Sequence, residues 1–275
     1  MQTVWLLTDH RYLRQRMPAA LGERLAARGI DVRTILADDA VAELSAGAAT
    51  PPWRGLRPDD LVLARTRNRF GLALLRAAER HARVLTPWEP VAAVRNKPRA
   101  VEELACHGVP LPRTWAADRP EALRALPRDR FPLLLKPHLG DNGRGIVAVA
   151  SPEELDELEW GDGFALAQEL VPCAPVDLKL YVAGEHVWGV RRPSPLAAVA
   201  STPPERVELD GELRRLAVVC GEAFDLLLYG VDVVDGGDGP RVVDVNEFPN
   251  YTGIEEAPDA IADLLVAALE REAVA

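Results

Sequence analysis

The chain has 275 residues, of which 48% are hydrophobic and 27% charged, a balance typical of a folded globular protein. Its length exceeds that of one compact core, so two or three domains are expected. The formal net charge of −10 argues against binding along a nucleic-acid backbone, which requires a surplus of Lys and Arg, although a local basic cleft is compatible with this total.

Three cysteines, Cys106, Cys173 and Cys220, are too few and too widely spaced for a disulfide framework, and no CxxC pair indicates zinc. We interpret them as small buried apolar residues with reduced thiols. The first apolar run ends at Asp9, too early for a signal peptide, and no later run approaches the length of a membrane span. The expected protein is soluble and cytoplasmic, without a membrane or nucleic-acid partner.

Strands and helices are predicted to alternate in the first third of the chain. Residues 3–8 form a short apolar run, and apolar positions at helical spacing follow it up to the stop signal at Gly29. This alternation is typical of a small doubly wound α/β domain, which we place at residues 1–93. The predicted elements are strands 3–8, 31–38, 61–66 and 84–86 and helices 17–28 and 70–80.

The middle of the chain is more irregular, and strands dominate from residue 165 onward. A helix opens at Lys97 and ends in the Pro-rich segment 108–114. Ser151, followed by Pro and two Glu, is expected to cap another helix. The predicted elements are strands 131–136, 145–150, 164–170, 178–183, 186–191, 228–234 and 241–246 and helices 97–107, 213–224 and 258–272.

Two carboxylates near the C-terminus are predicted to face each other. Asp244 and Asn246 alternate with valines, so both point to one face of their strand. If the hairpin turn centres on Asp238, Asp232 lies opposite Asp244, because each is six residues from that centre. Opposed carboxylates repel unless a cation lies between them, and two Asp and one Asn offer the oxygen ligands that Mg²⁺ prefers. The alternative is a solvated hairpin whose polar residues face water.

Lys136 ends an apolar strand and precedes a loop that contains Gly140, Gly143 and Gly145. Its ammonium would project at the mouth of a cleft, and the glycines let backbone N–H groups approach phosphates closely. No GxxxxGK[ST] pattern is present, so this is not a Walker loop. An ordinary hairpin with a strand-end lysine is the alternative.

Residues 167–179 are interpreted as a purine pocket. Leu170 and Val171 offer an apolar wall, and Asp177 or Glu169 offers a carboxylate for ribose hydroxyls. An acidic edge strand is the alternative.

Arginines at two places are candidates for binding anions. Arg191 and Arg192 end a strand, and a guanidinium suits a phosphoryl or carboxylate group through paired hydrogen bonds. Neighbouring strand residues point to opposite faces, so only one of the two is expected to enter a cleft. Arg65, Arg67 and Arg69, at alternate positions, either bind an anionic substrate or form a solvated face.

The order and spacing of these features resemble the ATP-grasp superfamily over nearly the whole chain. The resemblance implies an α/β and α+β fold in which an N-terminal doubly wound domain precedes two α+β lobes that grip ATP, at 94–165 and 166–275. One residue departs from the pattern, since the family usually has Glu where this chain has Asp244. The matching elements are Asn96-Lys97, residues 108–114, Lys136 with its glycine loop, Gln168-Glu169, Asp177-Leu178-Lys179, Asp232 and Asp244-Val245-Asn246.

The same resemblance implies roles for these residues. ATP and magnesium, two ions for which Mn²⁺ can substitute, are the implied cofactors. The implied contacts are Lys97, Lys136 and the loop glycines to the ATP phosphates, Gln168, Glu169, Leu170 and Val171 to the adenine, Asp177 to the ribose, Lys179 with Arg191 or Arg192 to the transferred phosphoryl group, and Asp232, Asp244 and Asn246 to the metal.

Two subfamilies resemble different parts of the chain. Residues 96–114 are similar to the RimK-type ligases, which join amino acids to a carboxylate. Residues 178–194 and 244–253 are similar to the inositol-phosphate kinases of the superfamily, and that motif favours Arg192 as the cleft arginine. The His/Lys-rich cluster that those kinases use for polyphosphates is absent from the N-terminal sequence.

We therefore expect an ATP- and Mg-dependent carboxylate–amine ligase that forms an amide or peptide bond through an acyl phosphate on a small acidic substrate. An amine or amino acid would be its second substrate, and a homo-oligomer is left open. The alternative is a small-molecule kinase that phosphorylates a hydroxyl. A nucleotide sensor without activity would require a broken metal site, and the sequence shows an intact one.

Overall fold

A computed structural model describes residues 2–43, 45, 52–137, 145–161, 163–194 and 203–270. Three sheets follow one another along the chain, one of them parallel and two antiparallel. Within these ranges, none of the helices has both the length and the apolar character that crossing a bilayer demands.

The first sheet is parallel and has β1 at its interior. Its strands are β1 (Thr3–Thr8), β2 (Asp31–Leu36), β3 (Leu61–Arg65) and β4 (Arg83–Val84), in the order β2-β1-β3-β4. All six side chains of β1 are buried, which explains its continuous apolar run. The helices of this region are α1 (His10–Leu13), α2 (Arg16–Ala27) and α3 (Arg69–Ala78).

Two helices, α4 (Trp88–Arg95) and α5 (Lys97–Cys106), lead into the second sheet. Its strands are β5 (Thr114–Ala117), β6 (Leu133–Lys136), β7 (Val147–Val149) and β8 (Ala165–Glu169), in the antiparallel order β5-β8-β6-β7. The expected boundary between residues 165 and 166 cuts this sheet, because β8 pairs with both β5 and β6. The density of strands rises at residue 165, but membership of the second sheet continues to Glu169.

The expected helix after Ser151 is wrong. Residues Pro152–Asp156 form a single 3-10 turn, and the Ser151 side chain makes no capping hydrogen bond. Glu154 instead accepts a hydrogen bond from the Ala150 N–H, at 2.8 Å. Only Leu155 of this turn is buried, and one apolar anchor does not sustain a longer helix.

The third sheet carries two helices, one on each face. Its strands are β9 (Val176–Ala183), β10 (His186–Pro193), β11 (Glu205–Val207), β12 (Leu228–Asp235) and β13 (Pro240–Glu247), in the antiparallel order β11-β10-β9-β12-β13. Helix α6 (Gly211–Glu222) joins the apolar cluster on one face, and α7 (Ala257–Glu270) joins the cluster on the other. Helix α7 also packs on α2, so the first and third sheets share one core.

The cysteines behave differently from one another. Cys220, a residue of α6, is buried in the core, as predicted, whereas Cys106 and Cys173 are exposed. Cys106 is the last residue of α5, and the residues of that helix that are buried are Ala100 and Leu104. The prediction that all three cysteines are buried is therefore wrong.

Candidate active site

A cavity of about 370 Å³ lies where the three sheets meet. Its described lining contains six Lys or Arg and five Asp or Glu residues. The chain as a whole carries a formal net charge of −10, whereas these lining side chains carry one positive charge in excess. Such a lining favours an anionic ligand accompanied by cations.

The β12–β13 hairpin brings the two predicted carboxylates together. The strand register pairs Asp232 with Asp244, as the symmetric turn predicts, and the register shifts just beyond this pair. Asn246 lies two residues further along the same face and donates a hydrogen bond from Nδ2 to Asp232 Oδ2, at 3.1 Å. All three residues line the cavity.

Cationic side chains balance the charge of both carboxylates. Lys179 lies opposite Asp232 on the neighbouring strand, with Nζ 2.7 Å from Oδ1, and Lys97 Nζ lies 3.0 Å from Asp244 Oδ1. Burial alone would raise the pKa of Asp244, but the charges of Lys97 and Lys136 outweigh it and lower the pKa below its ordinary value. Asp244 is therefore a carboxylate at neutral pH.

The oxygens of this hairpin fit magnesium if phosphate and water complete the ligand shell. Among the described residues, no group of three or more His, Cys, Asp or Glu side chains could hold a metal ion alone. Mg²⁺ commonly takes one or two carboxylates plus phosphate oxygens and water, and Asp232 and Asp244 meet that pattern. The Asn246 Oδ1 accepts a hydrogen bond from Arg67 Nη2, at 2.8 Å, so binding a metal would require it to leave this arginine.

Lys136 bridges the second and third sheets. Its Nζ donates to Gln168 Oε1 at 2.5 Å and to the Val243 carbonyl at 3.2 Å. Burial lowers the pKa of Lys136 to about 8. Gly145 lies just beyond the cavity lining with φ +74°, a conformation that favours glycine. The predicted loop residues Gly140 and Gly143 lie outside the described residues.

The predicted purine segment forms another wall of the cavity. Gln168, Glu169, Leu170 and Val171 all line it, and Gln168 Nε2 is 3.3 Å from Thr114 Oγ1. Asp177 is buried and accepts a hydrogen bond from the Ser194 side chain, while its Oδ1 has no partner among the described residues. Burial raises the pKa of Asp177. A buried carboxylate oxygen without a donor suits a ligand hydroxyl.

Strand alternation separates the two neighbouring arginines. Arg192 lines the cavity, with Nη2 3.4 Å from Asp232 Oδ1, whereas Arg191 is exposed and is absent from the described lining. The register places Arg192 opposite Asp177 on β9, so both reach the cavity. Of the two candidates, the geometry therefore favours Arg192.

Several lining residues have no specific role in the sequence interpretation. Arg65 and Arg67, which could equally be a solvated face, both line the cavity, while Arg69 is exposed. For Arg65, the sequence contains one signal of a cavity position, a charged residue at the end of an apolar strand. Tyr12 and Asn250 carry no such signal, since they lie in a short helix and a loop that only the tertiary fold brings to Arg65.

Comparisons with known proteins find similar sequences and similar structures. A family model described as a RimK-like ATP-grasp domain matches residues 94–269. The tetrahydromethanopterin:alpha-L-glutamate ligase of Methanococcus maripaludis is 26% identical over 196 residues, which are 66% of this chain and 66% of that protein. A probable alpha-L-glutamate ligase of Parasynechococcus marenigrum is 29% identical over 218 residues, 74% of this chain and 47% of that protein. The chain thus spans less than two thirds of the length of these relatives.

Solved structures share the whole architecture. The ATP-grasp ligase PsnB, solved with a minimal precursor, Mg and ADP, superposes with a TM-score of 0.71 at 19% identity and covers 97% of each chain. That likeness concerns the fold, whereas the family model spans more than half of the sequence. The chain belongs to the RimK-like ATP-grasp family.

Proposed function

We propose that this protein is an ATP- and Mg²⁺-dependent carboxylate–amine ligase. The observation that carries the proposal is one cavity in which the opposed Asp232 and Asp244 lie together with four cationic side chains. These cations come from one helix and three different strands and are Lys97, Lys136, Lys179 and Arg192. Family membership and the ligase names of the two relatives support this reaction class over other ATP-dependent chemistry.

The cavity offers a separate contact for each part of ATP. Lys97 and Lys136 would bind the phosphates, residues 168–171 would form the adenine wall, and Asp177 would accept hydrogen bonds from the ribose. We group the chain accordingly into an N-terminal domain to residue 93, a central lobe from 94 to 169 and a C-terminal lobe from 170 onward, with the nucleotide between the lobes.

Nucleotide binding would exchange partners within the ion pairs. Lys97 and Lys179 now neutralise Asp244 and Asp232, and both lysines could instead bind phosphate oxygens. The carboxylates and Asn246 would then hold magnesium, as two ions in our proposal, and Mn²⁺ should substitute because it takes the same oxygen ligands. Magnesium at this place would neutralise phosphate charge and stabilise the charge that develops during phosphoryl transfer.

The proposed reaction has two steps. A carboxylate oxygen of the acidic substrate attacks the γ-phosphorus, ADP leaves, and an acyl phosphate forms. The amine of the second substrate then attacks the acyl carbon, loses a proton and expels phosphate, which leaves an amide. Lys179 and Arg192 would stabilise the charge on the phosphoryl oxygens in both steps, because both face the cavity beside Asp232. A small acid and an amino acid are the proposed partners.

An assay of ADP release separates this ligase from the kinase alternative. The protein is incubated with Mg·ATP and candidate acids, with and without a pool of amino acids. We expect ADP to form in proportion to amide product only when an amine is present. A phosphorylated alcohol formed without any amine would instead establish the kinase reaction.

Arg192→Lys tests the acyl-phosphate step, with Arg191→Lys as its matched control. Lysine keeps the charge but loses the paired N–H donors of guanidinium, so the Arg192 variant should turn over at least about tenfold more slowly and lose intermediate to water. The ratio of amide to ADP should fall below one in Arg192→Lys and stay at one in Arg191→Lys. A ratio of one in both variants would contradict a labile acyl phosphate held by Arg192.

A further inference from the structure

Arg65 is a buried cation that has no carboxylate partner among the described residues. It ends β3 and is only 5% exposed, and burial lowers its pKa to about 10, so it keeps its charge at neutral pH. Its Nη2 donates to Gln15 Oε1 at 2.6 Å and to Asn250 Oδ1 at 3.4 Å. Nε and Nη1 are buried without any hydrogen-bond acceptor in the described part of the chain.

Aromatic rings contact this guanidinium, and hydrogen bonds fix the strand end that carries it. The rings of Tyr12 and Phe248 lie 5.2 Å and 5.4 Å from its central carbon, as cation–π contacts. The Thr8 hydroxyl donates to the Arg65 carbonyl at 2.9 Å. The Asp9 carboxylate accepts hydrogen bonds from the Thr66 hydroxyl and the Arg67 N–H, which follow Arg65 in the chain. It also accepts one from the Tyr12 N–H, so it connects α1 to this strand end.

The loop after β13 completes the pocket in a strained conformation. Phe248 and Tyr251 have φ of +29° and +48°, values that side-chain-bearing residues rarely adopt. Tyr251 is fully buried and donates a hydrogen bond to the Val182 carbonyl at 2.6 Å, which anchors the loop. The strained loop carries Asn250 to Arg65, and such strain is common where a ligand site is preformed.

A buried guanidinium whose Nε and Nη1 lack acceptors is costly unless a ligand supplies them. Arg65 lines the same cavity as the β12–β13 hairpin, and Arg67, two residues further along, donates a hydrogen bond to Asn246 of that hairpin. The nucleotide and metal contacts proposed above use neither Arg65 nor Arg67. A planar carboxylate matches the planar guanidinium, and the amide groups of Gln15 and Asn250 can donate to it as well.

We propose that Arg65 binds a free carboxylate of a ligation substrate, one that is not phosphorylated, and thereby selects substrates with a second carboxylate. This inference rests on the proposed ligase function. The carboxylate could be the α-carboxylate or the side-chain carboxylate of an amino acid, and amides of one compound distinguish these two sources.

Calorimetric titration of the protein saturated with Mg²⁺ and a non-hydrolysable ATP analogue tests the proposal. The probes are L-glutamate, which has both carboxylates, L-glutamine, which lacks the side-chain carboxylate, and isoglutamine, which lacks the α-carboxylate. We expect Arg65→Met to weaken L-glutamate binding at least about tenfold, Arg65→Lys to weaken it less, and the exposed control Arg69→Met to leave it unchanged. The amide that lacks the recognised carboxylate should bind wild type and Arg65→Met equally.

The proposal is overturned if wild type binds none of the three probes, or if Arg65→Met binds L-glutamate as wild type does. Should Arg65→Met fail to fold, shown by lost binding of the ATP analogue, Arg65→Lys decides, and unchanged L-glutamate affinity there overturns the proposal. Absence of ATP-analogue binding by the wild type would count against the proposed ligase function itself, which keeps the two failures distinguishable.

Discussion

Lys136 is a buried cation whose charge changes within an accessible pH range. Burial lowers its pKa from the ordinary 10.5 to about 8, although Asp244 and Asp232 act in the opposite direction. Between about pH 8 and 10.5 the unfolded chain would therefore bind more protons at this residue than the folded protein does. By linkage, the contribution of Lys136 to the free energy of unfolding rises with pH across that window.

Phosphate binding should have the opposite pH dependence, because it requires the protonated ammonium. We predict that the dissociation constant for a non-hydrolysable ATP analogue is flat from pH 6.5 to 7.5 and rises above about pH 8, by up to about tenfold per pH unit. Lys136→Ala should weaken binding about tenfold or more at pH 7 and remove this rise, which calorimetry can measure. An equally steep rise in Lys136→Ala would assign the titration to another group.

At the scale of elements, the β12–β13 hairpin places like charges opposite each other and lets cations offset the repulsion. Asp232 and Asp244 face each other in register, and each has a lysine within 3.0 Å. Opposed carboxylates of this kind are unfavourable in an isolated hairpin. The arrangement is therefore stable only with its lysines or with a bound metal, which suits a site that exchanges one for the other.

Asp244→Asn should abolish most turnover while the fold persists. The amide keeps the shape of the side chain but removes the charge that balances magnesium, so kcat should fall by two orders of magnitude or more. The exposed turn residue Asp238, in the same hairpin, provides the control, and Asp238→Asn should keep near wild-type turnover. Near wild-type ADP release by Asp244→Asn, with unchanged circular dichroism, would show that this hairpin does not hold the metal.

Local patterns predicted this hairpin because all its determinants lie within 15 residues of sequence. The run at residues 3–8 likewise matches β1 residue by residue, since a fully buried strand needs only a continuous apolar run. The helix expected after Ser151 failed because capping residues do not substitute for an apolar stripe. The boundary expected at 165 separates β8 from its partner strands, because composition does not show which strands pair.

The residues that surround Arg65 could not be predicted for a related reason. Arg65 and Asn250 are 185 residues apart, and Arg95 on α4 reaches Glu247 on β13 across 152 residues. Single-sequence patterns give the face of a strand but not the loop that will cover its end. Alternate arginines at 65, 67 and 69 therefore left two interpretations open, and only the fold separates the two inward residues from the exposed one.

At the scale of the whole molecule, α7 links the first and last parts of the chain. Its buried residues, including Ile261 and Leu265, share one apolar cluster with β1 and α2 of the first sheet and with β9 and β10 of the third. The second sheet has a separate cluster that contains Leu133 and Leu155. The first and third sheets are thus expected to behave as one mechanical unit, and the second sheet as another.

Leu265→Ala tests this unit, with Leu155→Ala as the matched control, because both leucines are fully buried. Each truncation leaves a cavity and should cost about 2–5 kcal/mol of stability. In Leu265→Ala, hydrogen exchange measured by mass spectrometry should accelerate in β1 and β9 together, since the cavity opens in the core that they share. In Leu155→Ala, the acceleration should be confined to the second sheet, β5 to β8. If β1 keeps its protection in Leu265→Ala while β9 loses it, the two sheets unfold independently, and the cavity that holds the proposed site then lies between parts that can move relative to each other.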